Sequence, residues 1–349
     1  MKYQNFCVLP FFAYETDGQS LHNIYCCRWP KGTDVDEVRQ HIQANKKHDA
    51  CTSCWKVEDA QDISERMMHN RTMDYLLDTD IDELANQACQ GKHSIKMLKL
   101  YTSNICNGLC VTCGPEASTA WQKLESKILT YEKLTTIPDV DYARLKYLSL
   151  VGGEPLLEKR NWDILEKLKS LGNTDIFVTI VTNGTVNINK HNKKILESFS
   201  RLNFCFSIDG LEDCYQYLRF PASWNDLEKN VRSYREITDN ISVSTMISNI
   251  NVFQVAAMKE WFVKQSLPYL MKPIEAPIHF APWNLPDHLK YLASELSQGQ
   301  SDIYTRMGRC TSWQECQKEI VRQDRLKNIS IVNFLGDWGR SFIDICDKN

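Results

Sequence analysis

The chain has 349 residues, of which 43% are hydrophobic and 24% are charged, and its formal net charge is −3. This composition is ordinary for a globular protein and excludes a disordered or collagen-like chain. The near-neutral charge does not favour a nucleic-acid partner. No apolar run reaches the length of a membrane span, and the N-terminus lacks a signal-peptide pattern. We therefore expect a cytoplasmic protein of roughly two domains, without a membrane partner.

The fourteen cysteines are too few for a disulfide scaffold. Without a secretory signal, we expect them to remain thiols or to bind metal. Two groups are closely spaced: Cys51 and Cys54 form a Cys-x2-Cys pair, and Cys106, Cys110 and Cys113 lie within ten residues of sequence that follow an apolar run. These two groups are the first candidates for metal ligands.

The N-terminal part, residues 1–93, is polar, charged and rich in cysteine, and we predict that it forms a small α+β domain. A β-hairpin is predicted around Asp17-Gly18, where alternating residues flank a turn pair. Helices are predicted over about 34–45 and 55–78.

From residue 94 the pattern changes to alternating strands and helices. The predicted strands are MLKLYTS (97–103), YLSLVGG (147–153), IFVTIVTNG (176–184), LNFCFSIDG (202–210), ISVSTMISN (241–249) and PIHFAPW (277–283), and helices are predicted over 162–172 and 191–202. Repeated strand–helix units indicate a parallel sheet. Six units are too few for a closed eight-stranded barrel, so we predict an α/β partial (β/α)6 barrel over 94–283. Functional residues should gather at the carboxyl ends of its strands.

The C-terminal part, residues 284–349, is predicted to be an extension that covers the open side of the barrel. Helical spacing is present over 287–298 and 312–327, and an aromatic segment follows at 328–345.

The three cysteines after the first barrel strand have the arrangement Cys106-x3-Cys110-x2-Cys113. A structural zinc site would need a fourth ligand nearby, and no cysteine or histidine follows closely. A [4Fe–4S] cluster held by three thiolates would instead leave one iron open to a small molecule. The spacing therefore favours an iron–sulfur cluster.

This cysteine motif resembles that of the radical S-adenosylmethionine (SAM) superfamily, and later turns strengthen the resemblance. They are Val151-Gly152-Gly153-Glu154-Pro155 after the second strand, Thr182-Asn183-Gly184 after the third, Ser207-Ile208-Asp209-Gly210 after the fourth with Arg219 beyond, and Ser248-Asn249 after the fifth. Each turn alone is an ordinary loop sequence, but their order along consecutive strands is specific. One position departs from the family pattern, because Thr112 stands where an aromatic residue is usual.

The resemblance implies a SAM site and a reaction. The implied SAM-binding residues are Gly152, Gly153, Glu154, Asn183, Ser207, Asp209, Arg219 and Asn249. Glu154 would meet the amino group of SAM, and Arg219 would hold a carboxylate. In the family, a reduced cluster cleaves SAM to methionine and a 5′-deoxyadenosyl radical, which abstracts a hydrogen atom from the substrate.

The N-terminal cysteines resemble a second family module. Cys7, a hairpin, the pair Cys26-Cys27 and the Cys51-x2-Cys54 motif follow one another as in a Twitch domain, the shortened relative of the SPASM domain, although here the module precedes the barrel. The resemblance implies that Cys7, Cys26, Cys51 and Cys54 hold an auxiliary [4Fe–4S] cluster, with Cys26 preferred to Cys27. A zinc ion bound by the same four thiolates is the alternative.

The leading interpretation is therefore a radical SAM enzyme that acts on a peptide or protein side chain by oxidation or cross-linking. The resemblance also implies an electron donor such as flavodoxin or ferredoxin. A second interpretation is a radical SAM dehydrogenase or modifier of a small molecule or nucleotide. A third, from another class, is a non-catalytic iron–sulfur or zinc-binding interaction protein. No residue stands out in the sequence as a catalytic acid or base.

Overall fold

A computed structural model describes residues 3–16, 23–24, 26, 29–30, 32–127 and 139–343. Its strands are β1 Ala13–Thr16, β2 Asn23–Ile24, β3 Met97–Tyr101, β4 Tyr147–Val151, β5 Phe177–Thr182, β6 Arg201–Ser207, β7 Ile241–Ile247 and β8 Tyr269–Pro273. They form one sheet in the order β2-β1-β3-β4-β5-β6-β7-β8. From β3 to β8 every neighbouring pair is parallel. The predicted α/β class and the open, six-stranded parallel arrangement are confirmed.

Five of the six predicted barrel strands are present, and the sixth prediction is wrong. Residues 277–283 contain a 3₁₀ turn, Ile278–Phe280, and the sixth barrel strand is β8 instead. The segment is apolar because Phe280 is buried in the core, and Pro277 begins the turn without an N–H to donate to a strand ladder. The edge strand β8 escaped prediction because its side chains are largely exposed, so it lacks a buried strand's pattern.

The helices follow the predicted spacing with shifted ends. They are α1 Leu9–Phe12, α2 Val35–Gln43, α3 Thr52–Asp59, α4 Glu65–Leu77, α5 Ile81–Cys89, α6 Thr119–Leu124, α7 Lys159–Ser170, α8 Lys190–Leu196, α9 Glu212–Leu218, α10 Trp224–Arg235, α11 Val255–Lys264, α12 Asp287–Leu296, α13 Asp302–Thr305, α14 Trp313–Lys327 and α15 Ile331–Arg340. Within the described ranges, no helix has both the length and the hydropathy needed to cross a bilayer.

The helix predicted over 55–78 is two helices, α3 and α4. Gln61 between them has a positive φ of 62°, which interrupts the helix. Ser64 then caps α4, because its hydroxyl accepts a hydrogen bond from the N–H of Met67. The helix predicted over 191–202 also ends early, since α8 stops at Leu196 and β6 begins at Arg201.

The N-terminal hairpin extends the barrel sheet. Strands β1 and β2 are antiparallel, as the hairpin prediction requires, whereas the turn at Asp17-Gly18 lies outside the described residues. Strand β1 pairs in parallel with β3, the first barrel strand. The N-terminal region nevertheless has a hydrophobic core of its own. The C-terminal helices α14 and α15 share the barrel core through residues such as Ile320 and Ile331. The division at residues 93 and 283 stays a prediction.

Candidate functional site

The chain leaves β3 into the cysteine loop, residues 102–118, and the following helix α6 holds this loop in place. The Thr119 hydroxyl accepts from the N–H of Cys106 and donates to the Cys106 carbonyl oxygen, both at 3.1 Å. The indole N–H of Trp121 donates to the carbonyl oxygen of Cys110 at 3.1 Å. The backbone around two of the three cysteines is therefore fixed by side chains of the next helix.

The cysteine loop brings its three thiols together. A Cβ atom placed on Gly108 would lie 3.3 Å from Sγ of Cys110 and 3.6 Å from Sγ of Cys106. Both sulfur atoms therefore border the same small space, which glycine leaves open. The thiol of Cys113 shares a hydrogen bond with that of Cys110. All three predicted ligands converge in one loop.

The surroundings of these thiols favour a metal-binding thiolate. The hydrogen bond from Cys113, aided by the charges of Arg219 and Lys327, lowers the pKa of Cys110 to about 6. Donating that hydrogen bond raises the pKa of Cys113. Burial raises the pKa of Cys106 to about 11. Since metals bind the thiolate form, a loop with one ionised thiol and two nearby cations fits an anionic iron–sulfur group.

The Gly-Gly-Glu turn after β4 packs directly against the cysteine loop. The N–H of Gly153 donates to the carbonyl oxygen of Ser103 at 3.0 Å, and the N–H of Glu154 donates to that of Ile105 at 2.7 Å. A Cβ on Gly152 would come within 2.6 Å of the Ser103 carbonyl oxygen, and Gly152 has a positive φ of 121°. Only glycine allows this backbone approach. The motif and the cysteines are thus neighbours, as predicted.

The side chain of Glu154 joins the ends of two strands. It is buried, and its carboxyl oxygens accept from the Thr182 hydroxyl at 2.9 Å and from the backbone N–H groups of Leu156 at 3.2 Å and Asn183 at 2.7 Å. Burial raises its pKa to about 7 despite these donors. The amide of Asn183 in turn lies 4.0 Å from Sγ of Cys106. Glu154 therefore orders the predicted SAM-binding turns around the cysteine loop.

Arg219 and Asp209 form a buried ion pair beside the loop. An Nη2–Oδ2 distance of 2.5 Å joins them, and Nη1 of Arg219 lies 3.8 Å from Sγ of Cys110. The other oxygen of Asp209 accepts from the N–H of Met246 at 2.8 Å. In the described part of the chain, the buried Nε of Arg219 has no hydrogen-bond partner. This orphaned donor is compatible with an anionic ligand next to the thiols.

Two other predicted SAM-binding residues stand outside this hydrogen-bond network. Ser207 lies opposite Ser244 in the pairing of β6 with β7. The Nδ2 group of Asn249 donates to the carbonyl oxygen of His279 at 2.9 Å and lies 3.3 Å from Sγ of Cys316. Their roles stay predictions.

A polar cavity of about 640 Å³ opens beside the cysteine loop. Its walls include Cys110, Asn183 and Arg219, together with residues of α10 such as Lys229 and Asn230. A cavity of this size is large enough for a small-molecule ligand. It therefore offers a ligand access to the thiols.

The four predicted auxiliary ligands also come together. A single small cavity is lined by Cys7, Cys26, Cys51 and Cys54, with Trp29 and Arg66 at its wall. Burial raises the pKa of the Cys7 thiol, and the neighbouring Cys26 and Cys51 thiols raise it further. Cys27 lies outside the described residues. Four thiols around one space have the chemistry of a four-thiolate metal site.

Residues of α14 also reach the cysteine loop, and the sequence did not reveal them. The side-chain amide of Gln323 donates to the carbonyl oxygen of Val111 at 2.9 Å, across 212 residues of sequence. The ammonium of Lys327 lies 4.8 Å from the ring centroid of Trp121. No motif marks these positions, because their contacts depend on how the C-terminal extension packs on the barrel.

Comparison with known families identifies the class of this site. Residues 100–261 match the family model of the radical SAM superfamily. This part of the chain is a radical SAM domain, and it contains both the cysteine loop and the Gly-Gly-Glu turn. Members of the superfamily are enzymes whose cofactors are a [4Fe–4S] cluster and SAM. The predicted superfamily is confirmed, together with a [4Fe–4S] cluster and SAM as cofactors, whereas the N-terminal Twitch-like module and its auxiliary cluster stay predictions.

The similar proteins cover only part of the chain. GTP 3′,8-cyclase of Staphylococcus epidermidis is 32% identical over 126 residues, which are 34% of this chain and 35% of that protein. GTP 3′,8-cyclase of Desulforamulus reducens is 25% identical over 146 residues, 41% of this chain and 44% of that protein. The chain thus spans less than half the length of these curated relatives.

Solved structures of low sequence identity also align with the chain. Native anSMEcpe with bound AdoMet is 14% identical, with a TM-score of 0.38 over 64% of this chain and 66% of that one. Streptococcus suis SuiB bound to S-adenosylmethionine is 14% identical, with a TM-score of 0.41 over 77% of this chain and 65% of that one.

Proposed function

We propose that the chain is a radical SAM enzyme in which Cys106, Cys110 and Cys113 hold the SAM-binding [4Fe–4S] cluster. The carrying observation is the contact between the cysteine loop and the Gly-Gly-Glu turn, made by two backbone hydrogen bonds of 3.0 and 2.7 Å. When bound and reduced, the cluster would supply the one electron needed for reductive cleavage of SAM to methionine and a 5′-deoxyadenosyl radical, and that radical would take a hydrogen atom from the substrate.

The protein's own residues would position the cofactors for this reaction. Two sulfur atoms flank Gly108 and leave space between them. The Arg219 guanidinium, held by Asp209, points one nitrogen at Cys110 and leaves its buried Nε for an anionic group such as a carboxylate. Glu154 fixes the turn over the loop, and its remaining acceptor capacity suits an ammonium group. The other predicted SAM-binding residues join this proposal on the resemblance alone.

The test is SAM cleavage by anaerobically reconstituted, dithionite-reduced protein. We expect formation of 5′-deoxyadenosine by wild type and none by the Cys106→Ala/Cys110→Ala/Cys113→Ala variant. The matched control is Cys89→Ala/Cys310→Ala, which removes two exposed thiols outside both cysteine groups. This control should cleave SAM like wild type. If wild type and the triple variant form equal amounts of 5′-deoxyadenosine, the enzymatic proposal is wrong, and a non-catalytic metal protein is favoured.

We further propose that Cys7, Cys26, Cys51 and Cys54 hold an auxiliary [4Fe–4S] cluster. The support is their convergence on one cavity. A four-thiolate cluster has no open iron, so its role would be electron transfer or anchoring of the N-terminal region. Metal analysis separates it from zinc: about eight irons per chain indicates two cubane clusters, and about four irons with one zinc indicates a zinc site. Cys51→Ala/Cys54→Ala should remove the auxiliary metal and leave the other cluster.

For the substrate we propose a peptide or protein side chain, with a flavodoxin- or ferredoxin-like electron donor. The support is the resemblance of the N-terminal cysteine pattern to the Twitch module of peptide-modifying enzymes. The decisive experiment adds a short peptide encoded beside the gene to the SAM-cleavage reaction and follows 5′-deoxyadenosine and the peptide mass. A loss of hydrogen from the peptide would support the proposal.

A nucleotide substrate is the second candidate, because the curated relatives are named GTP 3′,8-cyclases. Adding GTP to the same reaction tests it. If GTP stimulates 5′-deoxyadenosine formation and is itself converted, the nucleotide proposal replaces the peptide proposal. If GTP has no effect, the peptide proposal is retained.

A further inference from the structure

The ammonium group of Lys327, at the end of α14, is buried against the cysteine loop. The residue is 8% exposed, and its Nζ lies 4.8 Å from the ring centroid of Trp121. The indole N–H of that tryptophan donates to the Cys110 carbonyl oxygen. The same helix holds the loop through the bond from Gln323 to Val111. A cation from the C-terminal extension is thus packed against the tryptophan that holds the cysteine loop.

This cation lacks a carboxylate partner of its own. Its hydrogen bond is to the neutral side-chain oxygen of Gln323, at 2.9 Å, and no carboxylate oxygen in the described ranges lies within 4 Å of it. The buried Asp324 is engaged elsewhere, since its oxygens accept from the Tyr217 hydroxyl at 2.9 Å and the Ile331 N–H at 2.7 Å. Burial lowers the pKa of Lys327 to about 8. An unpaired buried charge is costly, so its retention suggests an anion nearby.

The thiols of the cysteine loop are one source of negative charge for this cation. Among the ionisable groups, Cys110 stabilises the charged form of Lys327 most, ahead of Asp324, Glu319 and Cys113. Arg219 is also near, but Asp209 already neutralises it at 2.5 Å. A [4Fe–4S] core bound by three thiolates is an anion, and accepting an electron makes it more negative. A cation without its own carboxylate therefore has its largest effect on the reduced state.

We propose that Lys327 compensates the negative charge of the cluster held by Cys106, Cys110 and Cys113 and thereby raises its reduction potential. The inference rests on the proposed function. It gives the C-terminal extension a role in the chemistry, because the extension supplies a charge to the thiol site as well as covering the barrel.

The test is an anaerobic redox titration of the reconstituted full chain, followed by electron paramagnetic resonance. The titrated signal is the one that changes when SAM is added, which separates this cluster from the auxiliary one. The variants are Lys327→Gln and Lys327→Met, which remove the charge, and Lys327→Arg, which keeps it. Lys318→Gln is the matched control, because Lys318 is an exposed residue of the same helix. Iron content and circular dichroism are measured for each.

We expect the two neutral variants to titrate at more negative potentials than wild type, with Lys327→Arg and Lys318→Gln close to wild type. Loss of iron in both neutral variants but not in Lys327→Arg would also support charge compensation. An unchanged reduction potential in the neutral variants overturns the proposal. Loss of iron in all three Lys327 variants also overturns it, because the side chain would then stabilise the site by packing and not by its charge. If wild type itself has no SAM-responsive cluster, the proposed function fails and this inference fails with it.

Discussion

Replacing Gly153 by alanine should separate the Gly-Gly-Glu turn from the cysteine loop. The added Cβ would lie 2.7 Å from the carbonyl carbon of Asn104 and 2.8 Å from that of Ile105, whereas ordinary contacts begin at 3.4 Å. The carbonyl oxygen of Ile105 would lie closer still, and because the obstacle is backbone, one of the two segments must move by about 1 Å. Neither segment can relieve the contact by a side-chain rotation.

The expected cost follows from two contributions. Overpacking costs about 1–3 kcal/mol, and each of the two backbone hydrogen bonds between turn and loop contributes about 0.5–1.5 kcal/mol. Since the move weakens the bonds without abolishing both, we expect a loss of about 2–4 kcal/mol in the free energy of unfolding. We also expect SAM binding to weaken, because the turn no longer meets the loop.

The assay is urea unfolding followed by circular dichroism, together with iron content and SAM-binding calorimetry of reconstituted protein. Gly91→Ala is the control: its added Cβ meets nothing within 4 Å, and only its positive φ of 68° penalises alanine, by about 1 kcal/mol. Gly153→Ala protein with wild-type stability and normal SAM binding would refute the reasoning, since the two segments could then shift freely.

Three other changes test the surrounding network. Because burial raises the Glu154 pKa from 4.5 to about 7, the folded state keeps a proton that the unfolded chain loses, so wild-type stability falls between pH 4.5 and 7. Glu154→Gln removes that pH dependence. Urea unfolding at pH 5 and pH 7 should therefore show that the free energy of unfolding of the variant, compared with that of wild type, increases by up to about 1.4 kcal/mol per pH unit. Arg66→Ala breaks the mostly buried pair with Glu58 and should cost about 3 kcal/mol in thermal or urea unfolding, whereas exposed Arg71→Ala should cost under about 0.5 kcal/mol; equal losses would contradict this. Asp209→Asn removes the carboxylate from buried Arg219 and should destabilise the protein by about 3 kcal/mol, and wild-type stability in urea would disprove the importance of the pair.

The barrel strands were predictable where burial imposes a pattern. Strands β3 to β7 are short apolar runs between polar turns, and each was found within a few residues of its observed bounds. The error at 277–283 has a physical cause, since apolar composition reports burial and does not distinguish a strand from a proline-initiated turn. The side chains of the edge strand β8 are largely exposed, so the same signal is weak there.

The candidate site was likewise only partly predictable from the sequence. Cys106, Cys110 and Cys113 lie in one loop, and a parallel sheet places the turn that contains Gly152 and Gly153 at the same edge, so the sequence alone determined that thiols and turn would meet. It did not determine the pairing of β1 with β3 or the position of Lys327 against Trp121, whose indole N–H bonds the cysteine loop. Those contacts join segments tens to hundreds of residues apart and leave no periodic or spacing pattern, because they arise only from the packing of separately formed elements. Tertiary structure therefore decided which charges surround the sulfur atoms.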